Sequence, residues 1–168
     1  MKYYVFLRLG HGVNMKWFQM RIMHRILGTN VILKHMGITP NENCSFCAGE
    51  RDCLEHIFGR CNVSRSFWDG FVGLVNVRCQ NAVNFRLSET LVILGIDKTI
   101  KIDCVFAFIL VLAKQYLYKC KLDKNVPNIH VFRRKLLSRY DVEKYNAVLN
   151  FSYNEFAAKW QPYIPLFH

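Results

Sequence analysis

The sequence predicts a mostly α-helical fold in which a small knuckle-like element lies among short helices and is followed by a helical C-terminal part. Apolar residues recur at helical spacing in most segments. No stretch shows the sustained alternation of apolar and polar residues that a sheet requires. The knuckle is indicated by four Cys and His residues that fall within eighteen positions of each other, Cys44, Cys47, His56 and Cys61.

Length and composition indicate one folded domain or slightly more. The 168 residues are 52% hydrophobic and 14% aromatic, which is enough for a core and argues against disorder. The 23 Lys and Arg residues outnumber the 12 Asp and Glu residues, so the net charge is +11. A charge of this size predicts a polyanionic partner, RNA and/or DNA, with an anionic membrane surface as the second choice.

The first two helices are predicted from their caps and stops. A broad apolar stripe begins at Asn14, which can cap a helix, and runs to a stop at Gly28. A short second helix is capped by Thr29 or Asn30 and ended by Gly37. Both helices lead directly into the first pair of cysteines.

Later helices follow from the same signals. Asp141 is expected either to restart or to continue a helix, whereas Pro162 and Pro165 are expected to end regular structure. Polar composition predicts a loop over residues 79–90, overlapped by a short helix near its end. The helical segments are predicted over residues 63–77, 88–94, 102–121, 128–140, 141–150 and 152–160.

The most apolar of these helices predicts burial or a docking face. Residues 104–113 are apolar nearly all round, yet this run is about half as long as a membrane span. In a longer parent protein we expect this helix to pack against parts that the present chain lacks. Residues 1–12 lack the apolar core and the small-residue cleavage site of a signal peptide. We therefore expect a soluble protein with no membrane association.

The spacing of the knuckle predicts a structural zinc site. Cys44 and Cys47 form a Cys-x2-Cys turn, and His56 and Cys61 can supply the other two ligands from a helical turn. Three sulfurs and one imidazole suit tetrahedral zinc. Because all four positions are filled by protein, such a site is structural and leaves no place for substrate. The alternative is a set of buried free cysteines or a disulfide.

Cys53 leaves a second ligand set open. It lies three residues before His56, so Cys44, Cys47, Cys53 and His56 would also make a Cys3His site. Cys61 is preferred because Cys53 lies in the charged run GERDCLE, which is typical of a loop.

The cysteines outside the proposed site favour a reducing compartment. They form no framework for disulfide bonds, and this usage suits an intracellular protein of the cytoplasm and/or the nucleus. These residues are Cys53, Cys79, Cys104 and Cys120.

Aromatic residues of the segment 63–77 could stack on nucleic-acid bases. Aromatic residues at helical spacing are more often part of a core, so we expect Phe67, Trp68 and Phe71 to be buried.

Catalytic motifs are absent from the sequence. It contains no Gly-rich phosphate loop, no Gly-x-Ser-x-Gly and no His-Glu-x-x-His. The remaining histidines are isolated from possible catalytic partners. We therefore expect a protein that is not an enzyme.

Several motifs together carry a family resemblance. The stretch WFQMRIMHRILGTNVILKHMGI is followed by CSFC, by LEHIFGRC and by the pair Phe67–Trp68. This order resembles the zinc-binding region downstream of the reverse transcriptase in non-LTR (long interspersed element) retrotransposons. LVLAKQYLYKCK and PNIHVF resemble the tail of such polyproteins. Gly59 departs from the family, which often has a large residue there.

The resemblance implies a zinc-stabilised module that binds nucleic acid and supports target-primed reverse transcription. It implies a zinc ion held by Cys44, Cys47, His56 and Cys61, with no polymerase aspartates and no endonuclease in this chain. A missing reverse transcriptase portion is the implied protein partner. The chain is accordingly divided into a zinc-binding helical module, residues 14–78, and a helical C-terminal extension, residues 79–168. A purely structural zinc domain, a protein-interaction domain and an inactive remnant of such an element remain the alternatives.

A nucleic-acid surface is predicted beside the zinc site. The first helix leads through one short helix into the cysteine turn, so the cations of both segments should lie close together. The predicted contact residues are Lys16, Arg21, Arg25, Arg51, Arg60 and Arg65. The competing patch is Arg133, Arg134, Lys135 and Arg139.

Overall fold

The computed structural model describes residues 13–78, 87–95 and 102–167, and the regular elements in those ranges are helices. An isolated antiparallel bridge joins Asn43 and Arg51. The predicted mostly α fold, with a Cys/His knuckle among short helices, is confirmed. The elements are α1 (Val13–Met23), α2 (Asn30–His35), a π-helical turn (His56–Arg60), α3 (Asn62–Arg78), α4 (Glu89–Leu94), α5 (Cys104–Leu122), α6 (Ile129–Leu149), α7 (Tyr153–Trp160) and a 3-10 helix (Gln161–Phe167).

Two sequence predictions lie outside or largely outside these ranges. Most of the predicted polar loop, at residues 79–86, is outside the described residues, and so is Cys79.

The first helix ends earlier than predicted. Its described part runs from Val13 to Met23, so Asn14 lies inside the helix and is not its cap, and Gly28 is not its stop. Arg25 takes a left-handed backbone conformation, with φ of 58°, and closes the helix. The amide of Ile26 then donates to the carbonyl of Arg21 at 2.9 Å, as in a Schellman motif. Because a non-glycine residue adopts the left-handed conformation, no local pattern indicates that the helix ends at this point.

Side chains cap several of the helices, and of the two candidates predicted for α2 it is Thr29 that forms the cap. Thr29 caps α2, Ser88 caps α4 and Asn128 caps α6, each accepting a hydrogen bond from an amide of the first turn. Gly37 and Gly95 adopt positive φ values of 72° and 68° just after their helices.

Helix α5 is the centre of the first compact unit. All residues from Val105 to Ala113 are buried, and α5 packs against α1 and against the π-helical turn. Helix α4 in turn packs against α1 and against the same π-helical turn. Of the two possibilities for this apolar helix, burial is correct. The expectation that this helix packs against further parts in a longer parent protein stays a prediction.

A buried lysine links three of these helices. The ammonium of Lys114 on α5 is fully buried and donates to the side-chain oxygen of Gln19 on α1. The side-chain amide of Gln19 donates to the carbonyl of Ile93 on α4 at 3.1 Å. Burial lowers the pKa of Lys114 to about 7.

The aromatic residues of α3 belong to the core, as expected, and do not form a stacking platform. Phe67, Trp68 and Phe71 are all buried. The indole nitrogen of Trp68 donates to the carbonyl of Phe58 at 2.8 Å, which ties α3 to the π-helical turn.

The second compact unit is built on a long helix and an aromatic cluster. Helix α6 runs without a break through Asp141, so the helix continues there. Residues 161–167 form a 3-10 helix that contains Pro165, so the prediction that regular structure ends at these prolines was wrong. Its last ring, Phe167, lies 4.6 Å from the ring of Tyr140, and Trp160 lies 5.3 Å from Tyr140. These apolar contacts hold the segment although its prolines cannot donate backbone hydrogen bonds.

The two units interleave along the sequence. Residues 13–68 and 87–127 belong to the first, whereas residues 69–78 and 128–167 belong to the second. The division of the chain into a zinc-binding helical module, residues 14–78, and a helical C-terminal extension, residues 79–168, stays a prediction. None of the helices in the described part of the chain combines the length and the apolar character of a membrane span.

Candidate metal centre

The first half of the site is a tight turn around Cys44. Its amide donates to the carbonyl of Glu50 at 2.7 Å, and its carbonyl accepts from Ala48 at 2.9 Å. The amide of Phe46 lies 3.4 Å from the Cys44 sulfur, so a backbone dipole faces the place where negative charge would develop. The bridge between Asn43 and Arg51 closes the base of this loop. The backbone therefore fixes the first two sulfurs side by side.

The second half of the site depends on the π-helical turn. The amide of Cys61 donates to the carbonyl of His56 at 2.8 Å, a hydrogen bond that spans five residues. In a regular α-helix, residues five positions apart would point roughly 140° away from each other. The wider turn brings the side chains of His56 and Cys61 to the same side.

The four side chains converge on one point. Their ligand atoms all lie within 4.8 Å of one another. The sulfur of Cys47 is 3.3 Å from Nε2 of His56, and the sulfurs of Cys44 and Cys61 are 4.0 Å apart. Tetrahedral zinc would place two sulfur ligands about 3.8 Å apart and a sulfur and a nitrogen about 3.6 Å apart. The residues present therefore fit zinc in both donor chemistry and spacing.

The carboxylate of Glu50 orients the histidine. Nδ1 of His56 lies 3.0 Å from Oε2 of Glu50. With the proton on Nδ1 donated to this carboxylate, the lone pair of Nε2 is directed at the three sulfurs. Sequence reasoning did not identify Glu50, since a charged residue in a polar loop carries no local signal of this role.

The thiols differ in their acidity. Burial raises the pKa of Cys44 to about 12. Burial also acts to raise the pKa of Cys47, but hydrogen bonds from the backbone of Gly49 and Glu50 and from His56 outweigh it, and the pKa falls to about 7. Because zinc binds thiolates, metal uptake must displace a proton from Cys44 near neutral pH.

A disulfide bond, one of the alternatives to this ligand set, is not formed between the described cysteines. The cysteines of the described residues are free, and the 4.0 Å between the sulfurs of Cys44 and Cys61 is far longer than a disulfide bond of about 2.05 Å. Cys53 is not part of the cluster. Its sulfur lies 4.0 Å from the guanidinium of Arg60.

A buried ionic network supports the loop between the two halves of the site. Asp52 is fully buried, and its Oδ2 accepts from the amide of Asn30 at 2.6 Å and lies 2.7 Å from the ammonium of Lys121. Lys121 and the hydroxyl of Tyr118 both donate to the carbonyl of Gly28. A Cβ on Gly28 would come within 3.2 Å of that hydroxyl, so this position favours glycine for its close approach to α5. These partners are far apart in sequence, and no local pattern indicates them.

The predicted nucleic-acid surface is partly neutralised. Arg25 pairs with Glu55, Arg51 pairs with Glu42 at 3.1 Å, and Arg60 lies 3.8 Å from Glu89. These contacts reduce the positive potential at three of the six predicted positions.

The other three predicted cations have no carboxylate partner among the described residues. Arg65 donates through Nε to the carbonyl of Gly59 at 3.3 Å. Lys16 and Arg21 take part in no ion pair there, and Arg21 is exposed on α1. Of the six predicted positions, those without a carboxylate partner in the described part of the chain are thus Lys16 and Arg21 on α1 and Arg65 at the start of α3.

The competing patch lies on α6. Arg134, Lys135 and Arg139 are exposed, whereas Arg133 is half-buried and donates through Nε to the carbonyl of Leu166 at 2.8 Å.

Comparison with known families identifies the first part of the chain. Residues 9–68 match a family described as zinc-binding in reverse transcriptase, and the matched segment contains all four side chains of the cluster. The match covers a zinc-binding region and not a catalytic one. No curated protein and no solved structure matches the chain significantly. The predicted resemblance to a zinc-binding region associated with reverse transcriptase is confirmed, while the narrower relation to non-LTR elements stays a prediction.

Proposed function

From the reverse-transcriptase-type zinc-binding region that residues 9–68 form, we propose that this chain is a non-enzymatic, zinc-stabilised module that binds nucleic acid. In this proposal it serves as the C-terminal part of a retrotransposon polyprotein and holds template or target during target-primed reverse transcription. RNA and/or DNA is its partner, together with a reverse transcriptase portion. The family match is the observation that carries the proposal.

The donor set supports a structural role for the metal. Zinc held by Cys44, Cys47, His56 and Cys61 would be fully coordinated by protein, so it would cross-link the loop to the start of α3. The loop has few apolar residues of its own, and metal binding would contribute to its folding free energy. The backbone of the cysteine turn and the carboxylate of Glu50 hold the ligands in place for this purpose.

The charge distribution supports a polyanionic partner. The chain carries a net charge of +11, and Lys16 and Arg21 on α1 are not neutralised by carboxylates of the described residues. Arg65 adds a third cation near the cluster, since its Nε contacts the carbonyl of Gly59 in the π-helical turn. Phosphate contacts of this kind give affinity without sequence specificity.

A protein-interaction or purely structural zinc domain is the second candidate. It is favoured by the ion pairs of Arg25, Arg51 and Arg60, which already have carboxylate partners within the fold. A closed Cys3His zinc site also carries a formal charge of about −1, which attracts nearby arginines without any nucleic acid.

A salt titration separates the two candidates. We expect the zinc-loaded chain to bind a structured RNA or a duplex DNA, with an affinity that falls steeply as salt rises, by about 0.7 to 0.9 in log K per log salt for each phosphate contact. Fluorescence anisotropy of labelled RNA and DNA measures this slope. If neither nucleic acid binds at low salt while zinc content and fold are intact, the second candidate replaces the first.

A further inference from the structure

A small groove opens between α6 and the end of the 3-10 helix in the second compact unit. Its volume is about 250 Å³, and it is lined by His130, Arg133, Arg134, Leu137 and Phe167. The groove therefore combines basic side chains with an aromatic ring. No ligand was predicted for this groove from the sequence.

The ionisable side chains that line the groove are basic. Two arginines and one histidine lie in it, and none of the described residues that line it carries a carboxylate. The first acidic residue along α6 is Asp141, which lines a neighbouring groove together with Arg134 and Tyr145. The groove therefore favours an anionic group.

One of the two guanidinium groups is held in place. Nε of Arg133 donates to the carbonyl of Leu166 at 2.8 Å, so the 3-10 helix fixes the orientation of this side chain. A guanidinium has five N–H donors, and its planar fork matches the oxygens of a phosphate. An anchored Arg133 beside an exposed Arg134 thus provides a pre-oriented and an adaptable phosphate donor on the same helix.

The aromatic wall of the groove is also supported from behind. The ring of Phe167 lies 4.6 Å from that of Tyr140 and 6.1 Å from that of Trp160. Phe167 is only half-buried, so part of its surface remains accessible. A fixed, partly open ring next to cations is the arrangement on which unpaired bases stack in single-strand-binding proteins.

The size of the groove limits its ligand. Pockets for drug-sized molecules usually measure about 300–1,000 Å³, so this one suits a single phosphate with one planar ring. We infer that the groove binds one nucleotide unit, with its phosphate on Arg133 and Arg134 and its base on Phe167. The unit is either a free mononucleotide or one residue of a single strand, because a paired base in a duplex offers no free face. The residues of this site differ from the cations of α1, and the inference extends the proposed function.

Matched charge variants test the phosphate contact. The probes are a labelled ten-residue oligothymidylate, an abasic phosphodiester strand of the same length, and thymidine 5′-monophosphate. Arg134→Gln should weaken oligothymidylate binding by roughly tenfold, which corresponds to about 1.4 kcal/mol for a lost charged contact. Arg139→Gln makes the same charge change on the same helix outside the groove and should have a smaller effect. Equal losses in both variants would overturn the inference.

A conservative aromatic variant tests the stacking contact. Phe167→Leu keeps an apolar side chain and removes the π-face, so it should weaken oligothymidylate binding by about 5- to 150-fold and leave abasic-strand binding unchanged. Circular dichroism confirms that each variant is folded. Equal weakening for both strands would also overturn the inference. So would a result in which the unaltered chain binds neither oligothymidylate nor the mononucleotide.

Two further comparisons identify the source of the nucleotide and separate this site from the proposed function. Mononucleotide binding as tight as that of oligothymidylate supports a free nucleotide as ligand, whereas binding of the strand alone supports single-stranded nucleic acid. In a Lys16→Glu/Arg21→Glu background the effects of Arg134→Gln and Phe167→Leu should persist. If these effects persist, they support nucleotide binding in the groove. If the charge-reversed background binds nucleic acid as tightly as the unaltered chain does, that result counts against the α1 surface only.

Discussion

Lys121 on α5 is joined to Asp52 of the metal-site loop by an ion pair that is buried on both sides, with 2.7 Å between Nζ and Oδ2. Asp52 lies between Cys47 and His56 in sequence, whereas Lys121 is 53 residues beyond the end of the family match at residue 68. The other oxygen of Asp52 is buried and has no hydrogen-bond partner among the residues that the structure describes. Lys121 is therefore the counter-ion of the Asp52 carboxylate, and it connects the loop that presents the metal ligands to α5.

Removing the lysine of this pair should strongly destabilise the fold. Lys121→Met leaves a buried carboxylate without its counter-ion, and we expect the free energy of unfolding to fall by about 3–5 kcal/mol. The double variant Asp52→Asn/Lys121→Met removes the charge as well and should be more stable than Lys121→Met. Urea unfolding of the zinc-loaded chain measures both. Lys119→Met, an exposed position on the same helix, is the control, and a loss no greater than that of the control would contradict the argument.

Replacement of individual cysteines should distinguish the metal ligands. We expect one zinc ion per chain, and we expect Cys47→Ser to lose it because a serine hydroxyl is a poor zinc ligand. Cys53→Ser is the matched control and should retain the metal, since Cys53 is outside the cluster. Metal analysis of the purified variants gives the answer. Retention in Cys47→Ser together with loss in Cys53→Ser would reverse the assignment.

Chelation should loosen residues 40–62, which hydrogen exchange would detect.

The orientation of His56 should tune the affinity for zinc. Glu50→Gln removes the negative charge beside Nδ1, and partners of this kind typically contribute 10- to 100-fold to metal affinity. Competition with a chelating dye measures the change. Glu42→Gln is the control, because Glu42 is in the same loop but pairs with Arg51 and touches no ligand. Equal effects of the two substitutions would show that general loop charge, and not histidine orientation, matters.

Lys114 should give the stability of the protein a distinctive pH dependence. Its pKa in the folded state is lowered to about 7 by burial, whereas an unfolded lysine titrates near 10.4. Between these two values the unfolded chain binds more protons, so stability should rise with pH by up to about 1.4 kcal/mol per unit. Below pH 7 both states are protonated and this contribution to the slope disappears.

A comparison of variants isolates the lysine from other titrating groups. Lys114→Met should lose the part of the slope between pH 7 and about 10, whereas Lys119→Met should keep it. Thermal or urea unfolding at several pH values provides the data. An unchanged slope in Lys114→Met would show that the buried ammonium does not titrate in this range. The variant also leaves the side-chain oxygen of Gln19 without this donor, so the slope and not the absolute stability is the test.

Charge reversal on α1 should weaken the binding of nucleic acids whatever their base sequence. Lys16→Glu/Arg21→Glu removes two cations that have no ion pair among the described residues, and the salt slope should fall in magnitude by about one for each lost phosphate contact. Arg51→Glu is the comparison, because Arg51 is already neutralised by Glu42 and its reversal should matter less. If Arg51→Glu is the costlier change, the contact surface lies at the knuckle and not on α1.

Local sequence signals predicted much of this fold because they act over a few residues. Thr29, Ser88 and Asn128 cap their helices through hydrogen bonds to amides two or three positions away, and such bonds need no tertiary context. The Cys-x2-Cys and His-x4-Cys spacings likewise indicated which side chains converge. The end of α1 was missed because Arg25 adopts a conformation that usually signals glycine.

The tertiary contacts that complete the site could not be predicted from local patterns. A π-helical turn holds one residue more than an α-helical turn, and packing offsets the free-energy cost of this residue. The periodicity of the apolar residues does not reveal such a turn. The pairing of Asp52 with Lys121 joins residues far apart in sequence, and either side chain alone would be expected at the surface. The ion pairs of Arg25 and Arg60 show the same difficulty, since charge counts do not reveal which cations have partners.

The dependence of the zinc loop on α5 sets a minimum length for a working copy of this module. A premature stop codon between Cys61 and Lys121 would delete the counter-ion of Asp52, and one that also removes α5 would uncover the side of α1 that packs against it. The mutated gene would still encode every cysteine and histidine of the cluster. Such a truncated copy would look intact when judged by its metal-binding motif, yet its product would be a substrate for proteolysis. The motif alone is therefore an unsafe measure of whether a gene copy remains functional.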